Sequence, residues 1–100
     1  MSVIVFIRIE AEPGTLERVA AERADEMRAV SQEAKDRGAV HHCFIEVDGD
    51  VMVGDEWDSA ESFQEFFSSN EVIPTLMEAI GVQAEPEISI HRKLDTPDAF

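Results

Sequence analysis

The chain has 100 residues, with 22 Asp and Glu against 8 Lys and Arg, and a formal net charge of −14. That balance excludes the basic footprint that neutralises nucleic-acid phosphates, and no polybasic cluster is present to engage an anionic membrane surface. One domain fits this length, small enough that an added interface would help it, and 44% apolar residues separate the chain from disordered sequences.

The first predicted element is the run Val3 to Ile9, rich in β-branched residues and closed by Glu12-Pro13-Gly14. No basic residues precede it and no small-residue cleavage site follows, so it does not read as a secretory signal. No apolar segment approaches the roughly 20 residues that cross a bilayer. The expectation is a soluble cytoplasmic protein. Both faces of this strand are apolar, with Val3, Val5, Ile7 and Ile9 on one side and Ile4 and Phe6 on the other, which predicts burial on both sides.

From Thr15, the expected N-cap, to the stop at Gly38, apolar residues recur at helical spacing: Leu16, Val19, Ala20, Met27, Val30 and Ala34. One helix is predicted here, and Arg18, Arg23 and Arg28 among Glu17, Glu22, Asp25 and Glu26 read as its solvated face. Val40 to Val47 and Val51 to Trp57 are predicted strands joined by Asp48-Gly49-Asp50, a hairpin signal. Cys43 lies in the first of them; as the single cysteine it forms no internal disulfide and is expected to be a small buried hydrophobe. Asp58 with Glu61 has capping-box spacing ahead of a helix carrying Phe63, Phe66 and Phe67. A second helical piece follows Asn70, with Pro74 in its first turn and Gly81 at its end, and Ile88 to Leu94 is the last strand. Residues 95–100 read as a loosely held tail to a single domain over residues 1–94.

The order strand, helix, strand, strand, helix, strand predicts an α+β, ferredoxin-like βαββαβ antiparallel sheet with helices on one face. Because the first strand is apolar on its other face as well, a homodimer with sheets packed face to face is expected.

The Glu56-Trp57-Asp58-Ser59 step from strand into helix, followed by Glu61-Ser62-Phe63, resembles the dimeric α+β barrel superfamily, in particular its antibiotic biosynthesis monooxygenase-like branch. The resemblance runs from Val3 to Lys93. It implies homodimers with a pocket between sheet and helices in each subunit. Among the activities it implies are oxidation of polycyclic aromatics by molecular oxygen without metal or flavin, haem opening, and isomerisation or decarboxylation of small molecules. Trp57 matches the pocket-lining Trp of the monooxygenase and haem-degrading members. The latter also use an Asn late in the first strand and an iron-binding His on the helix after the Trp. Ile7 and Phe66 stand in those places here, which argues against haem degradation.

Strand alternation then yields candidates. If Trp57 faces a pocket, Asp55, Val53 and Val51 share its side and Gly54 turns toward the helices. On the second strand the alternatives are His42 with Phe44, or His41 with Cys43 and Ile45, of which the latter set reads more as core. Ser89 and His91 fall to the pocket side of the last strand, and Phe6 and Arg8 to that of the first. The catalytic candidates are therefore Trp57, His42, Asp55 and His91, with Arg8, Phe6, Phe44 and Phe66 as substrate-binding candidates. A His general base oriented by Asp55 could deprotonate an acidic aromatic, and Arg8 could hold the anion. The plainer alternative pairs Arg8 with Asp55 or Glu56 in an ordinary ion pair and makes Trp57 a core aromatic.

His41 and His42 point to opposite faces and no third ligand is identifiable, so no metal site is predicted. Without a Gly-rich phosphate loop or a dinucleotide fingerprint, no cofactor is expected either. Two functions follow: a cofactor-independent monooxygenase-like enzyme for a small aromatic or polyketide-like compound, or a non-catalytic dimeric module that binds a small ligand or partner. From Gly38 to His91 the chain holds twelve acids and no Lys or Arg. Such a surface suits high salt, where its self-repulsion is screened.

Overall fold

In the computed structural model, which describes residues 2–100, four strands form one antiparallel sheet: β1 (Val3–Ile9), β2 (Ala39–Val47), β3 (Asp50–Trp57) and β4 (Glu87–Arg92). Their order is β2-β3-β1-β4. Helices α1 (Pro13–Glu22) and α2 (Ala24–Asp36) connect β1 to β2, and α3 (Ala60–Ser69) and α4 (Val72–Ile80) connect β3 to β4. The architecture is the expected α+β, ferredoxin-like plan.

The helices differ from expectation in their ends and continuity. The first connection is broken at Arg23 (φ −117°, ψ 39°), although no Gly or Pro marks the position. The break has a packing consequence: Leu16 and Val19 of α1 are buried, whereas α2 buries no residue completely. Thr15 is not the cap, because Pro13 opens α1 with a preset φ and no N–H to satisfy. Ser59, not Asp58, caps α3, its Oγ accepting from Ser62 N at 3.1 Å. At α4 the Asn70 side-chain oxygen accepts from the N–H groups of Val72 and Ile73 at 3.0 and 2.9 Å. The Asn70 amide nitrogen donates to Glu33, which ties α2 to the corner between α3 and α4.

The β2–β3 hairpin turns through Asp48 and Gly49, both left-handed at φ 50° and 83°. That is the two-residue geometry whose twist matches the flanking strands, and it sets Val47 opposite Asp50. Counting back along the ladder, Phe44 falls opposite Val53 and His42 opposite Asp55, until a bulge between Ala39 and His41 shifts the register by one residue.

One face of the sheet carries the core. Val5, Ile7 and Ile9 of β1 and Val51, Val53 and Trp57 of β3 pack with Leu16, Phe63 and Phe66 beneath the helices. Trp57 is only 1% exposed, and truncating a buried side chain of this size costs about 3–5 kcal/mol. The other face is open, with Ile4, Phe6 and Arg8 of β1 beside Met52, Gly54 and Glu56 of β3. Phe6 and Ile45 are exposed there, and so is Cys43, which corrects its expected burial: it pairs with Gly54 on the face that no helix covers. Gly54 thus faces away from the helices, correcting the expected orientation: a Cβ on it would meet Cys43 Sγ and Phe6 Cε1 at 3.8 and 3.9 Å. On this face Lys93 Nζ donates to Glu56 Oε2 at 3.1 Å. That bond holds the Glu56 carboxyl below its ordinary range, against the opposing effect of burial.

Gly38 joins the helical layer to the sheet. Its φ is 123°, its carbonyl accepts from Asp58 N at 2.9 Å, and an added Cβ would sit 2.5 Å from Asp58 Oδ1. Gly38→Ala is expected to lower unfolding stability by about 2 kcal/mol or more, combining a disfavoured φ with a clash. Adding Asp58→Ala should recover only part of the loss. Urea midpoints for the two variants test this, and an unshifted midpoint for Gly38→Ala would contradict it.

Candidate functional site

Alternation along β3 puts Asp55 and Trp57 on the helix-facing side, and the β2 register brings His42 beside them. His42 Nδ1 lies 2.6 Å from Asp55 Oδ1, and Trp57 Nε1 donates to Asp55 Oδ2 at 3.1 Å. Both oxygens of this carboxylate are therefore used. Asp55 is the one buried charged residue among those described, 9% exposed. Indole N–H can only donate, so Asp55 accepts, and an ionised carboxylate has no proton to give His42. In the neutral imidazole the hydrogen-bond network consequently assigns the proton to Nδ1 and leaves a lone pair on Nε2. The His42 ring also meets Phe44 edge-on at 4.9 Å, while Trp57 packs on Phe63 and Phe66 at 5.7 and 5.3 Å.

These groups line a cavity of about 610 Å³ between the sheet and the helices. Such a volume suits a small-molecule ligand. Its walls are mostly apolar: Ile7 and Ile9 from β1, Val53 and Trp57 from β3, Phe44 from β2, and Phe63, Phe66, Leu76 and Met77 from α3 and α4. Its roof is α2, through Met27, Val30 and Ala34. A more solvent-open depression beside Glu10, Glu12 and Asp50 contains none of the His42–Asp55–Trp57 group.

Of the sequence candidates, His42, Asp55, Trp57, Phe44 and Phe66 all line this one cavity. Phe6, Arg8 and His91 do not. They project from the open face, where Phe6 and His91 rings lie 5.9 Å apart and Arg8 Nη2 meets Asp50 Oδ2 at 3.1 Å. The correction has a simple cause: the pocket is a hollow within the core face, whereas the sequence reading set it opposite the core. Arg8 pairs with neither Asp55 nor Glu56, because Asp50 shares its face next to the hairpin. Among the described residues, no three His, Cys, Asp or Glu side chains converge as a metal-binding group.

No protein-family model matches the chain, and neither does any curated protein sequence. Solved structures do. A conserved protein from Methanosarcina mazei has 18% identity and a TM-score of 0.66, with 94% of each chain covered. A variant of SnoaB, a cofactor-independent oxygenase from Streptomyces nogalater, has 16% identity and a TM-score of 0.65, with 98% of each chain covered. An antibiotic biosynthesis monooxygenase has 10% identity and a TM-score of 0.63, covering 93% of this chain and 99% of the other. The chain has the antibiotic biosynthesis monooxygenase fold. Among the described residues, no helix of this fold is long and apolar enough to cross a membrane.

The sequence reading missed the contribution of α2. Arg28, Ser31 and Lys35 form a row at helical spacing alongside Met27, Val30 and Ala34, and both rows line the cavity. Arg28 lies on the solvated face that the charge pattern predicts, exposed beside Asp25, and the same row also borders the cavity, which periodicity alone does not reveal.

The tautomer is directly measurable. Nitrogen-15 NMR of His42 is expected to show the proton on Nδ1 when the ring is neutral. In Asp55→Asn the amide oxygen is taken by Trp57 Nε1–H, so the amide N–H turns to His42 and drives the proton to Nε2. Wild-type protein with its proton on Nε2 would contradict the assignment.

Proposed function

We propose that this protein is a cofactor-independent oxygenase of small, acidic aromatic compounds, with His42 as general base. The observation that carries the reading is the hydrogen-bonded His42–Asp55–Trp57 group on the wall of an apolar cavity. It leaves Nε2 as a proton acceptor beside space for a ring system. Fold likeness to a cofactor-independent oxygenase supports the reaction class.

The chemistry begins when Nε2 takes a proton from a methylene activated by flanking aromatic rings or a phenol. Asp55 holds the ring in position and stabilises the imidazolium that forms. The carbanion then transfers its electron pair to molecular oxygen and forms a carbon–oxygen bond, and the imidazolium returns its proton to the peroxide. Loss of water from the hydroperoxide breaks the oxygen–oxygen bond and the second carbon–hydrogen bond, leaving a ketone or quinone. One oxygen atom ends in the product and one in water. Trp57, Phe63 and Phe66 exclude bulk water from the carbanion.

Oxygen uptake with anthrone-type and hydroquinone substrates is the test. Turnover above the buffer rate is expected, with His42→Ala and Asp55→Asn lowering kcat by about 100-fold or more. An absence of turnover across the panel, or an Asp55→Asn variant as fast as wild type, would sink the proposal.

The functional unit in this reading is a homodimer. Phe6 and Ile45 leave apolar area on the open face, and a second copy would cover it. Sedimentation is expected to give about twice the 11.2 kDa chain mass, with Phe6→Asp shifting the protein to monomer at unchanged helix content. A wild-type monomer at micromolar concentration would overturn this part.

A further inference from the structure

The charge lining the cavity is opposite to that of the chain. The sequence holds 22 acids and 8 Lys and Arg, yet the cavity wall takes Arg28 and Lys35 and a single acid, Asp55, whose oxygens are already engaged by His42 and Trp57. The four acids of α2 (Asp25, Glu26, Glu33 and Asp36) all stay out of the lining.

Helical spacing explains how α2 achieves this. Met27, Val30 and Ala34 form an apolar row over the hollow, and Arg28, Ser31 and Lys35 form the row beside it. Lys35 has no ion-pair partner among the described residues. Arg28 meets Asp25 at 3.2 Å, but both side chains are exposed, and such a contact competes weakly for the guanidinium. The Lys and Arg of the lining both come from α2: Gly38 to His91 contains none, and Arg8 and Lys93 are paired with Asp50 and Glu56 on the open face. At long range an anion is repelled by a net charge of −14, so whatever favours one here must be local.

We infer that the cavity takes an aromatic ligand bearing one carboxylate, held at the rim by Lys35 and Arg28 with Ser31 between them, while the ring system lies against Trp57. This rests on the reading of the His42 cavity as a ligand site and names the substrate class for it. Arg28 and Lys35 act as specificity-determining residues, binding a part of the ligand that does not react and so fixing which ring position approaches Nε2.

The chain has one Trp, so the Trp57 indole N–H gives one NMR signal and reports the cavity alone. Titration with naphthoate and with naphthamide, which matches its shape without its charge, is the experiment. Naphthoate is expected to bind about three- to five-fold more tightly in wild type, and to lose that preference in an Arg28→Gln, Lys35→Gln double variant. Both positions are exposed, so the variant should fold. Equal affinities in wild type, or a preference that survives in the double variant, would overturn the carboxylate handle and leave the cavity reading intact. If neither compound shifts the indole signal, the cavity reading falls and the handle falls with it.

Discussion

A single buried carboxylate sets the terms for the rest of this molecule. Asp55 sits on the core face of the sheet at 9% exposure, where an unpaired charge would be costly. It is tolerable because two N–H donors reach it, one on each oxygen. Each donor imposes a demand on the fold. Trp57 must lie on the same side of the same strand, which alternation guarantees at a spacing of two. His42 must lie directly opposite on β2, which alternation alone does not guarantee.

The hairpin meets that second demand. Its left-handed Asp48 and Gly49 fix the pairing sum along the ladder, and that sum places His42 rather than His41 across from Asp55. A slip of one residue would turn His42 to the open face and leave the carboxylate without its second donor. The bulge between Ala39 and His41 then absorbs the mismatch between hairpin register and the point where α2 delivers the chain through Gly38. A two-residue turn some distance from the cavity thereby determines which imidazole lines it.

The architecture was legible because its signals are local: β-branched runs, the Asp48-Gly49 pair, and apolar residues at helical spacing. Trp57 and Asp55 could be paired from the period of a strand. Composition favours His42 over His41 as their partner because His41, Cys43 and Ile45 read as core, but that ground fails, since Cys43 and Ile45 are exposed, and it is the register across the two strands that decides for His42. The misplacement of Phe6, Arg8 and His91 had a different origin. A strand apolar on both faces gives no local indication of which face holds the hollow, and only the helices decide that. The break at Arg23 carries no Gly or Pro, so the division of this segment into α1 and α2 is not visible in the sequence, nor is the second row of cavity residues on α2.

The incomplete burial of α2 links stability to function. A helix of the length of α2 would normally bury its apolar row, and α1 does bury Leu16 and Val19, the former in the core against the sheet. By burying nothing completely, α2 leaves a hollow over Trp57 and gives up packing energy of the kind that stabilises small domains. What holds it in place is at its ends and flank: the sharp exit at Gly38 against Asp58, and the bond from Asn70 to Glu33. Those attachments let the roof stay up without filling the space beneath it. A ligand whose rings fill that space would supply further contacts, so binding should tighten the one helix that its own packing holds least.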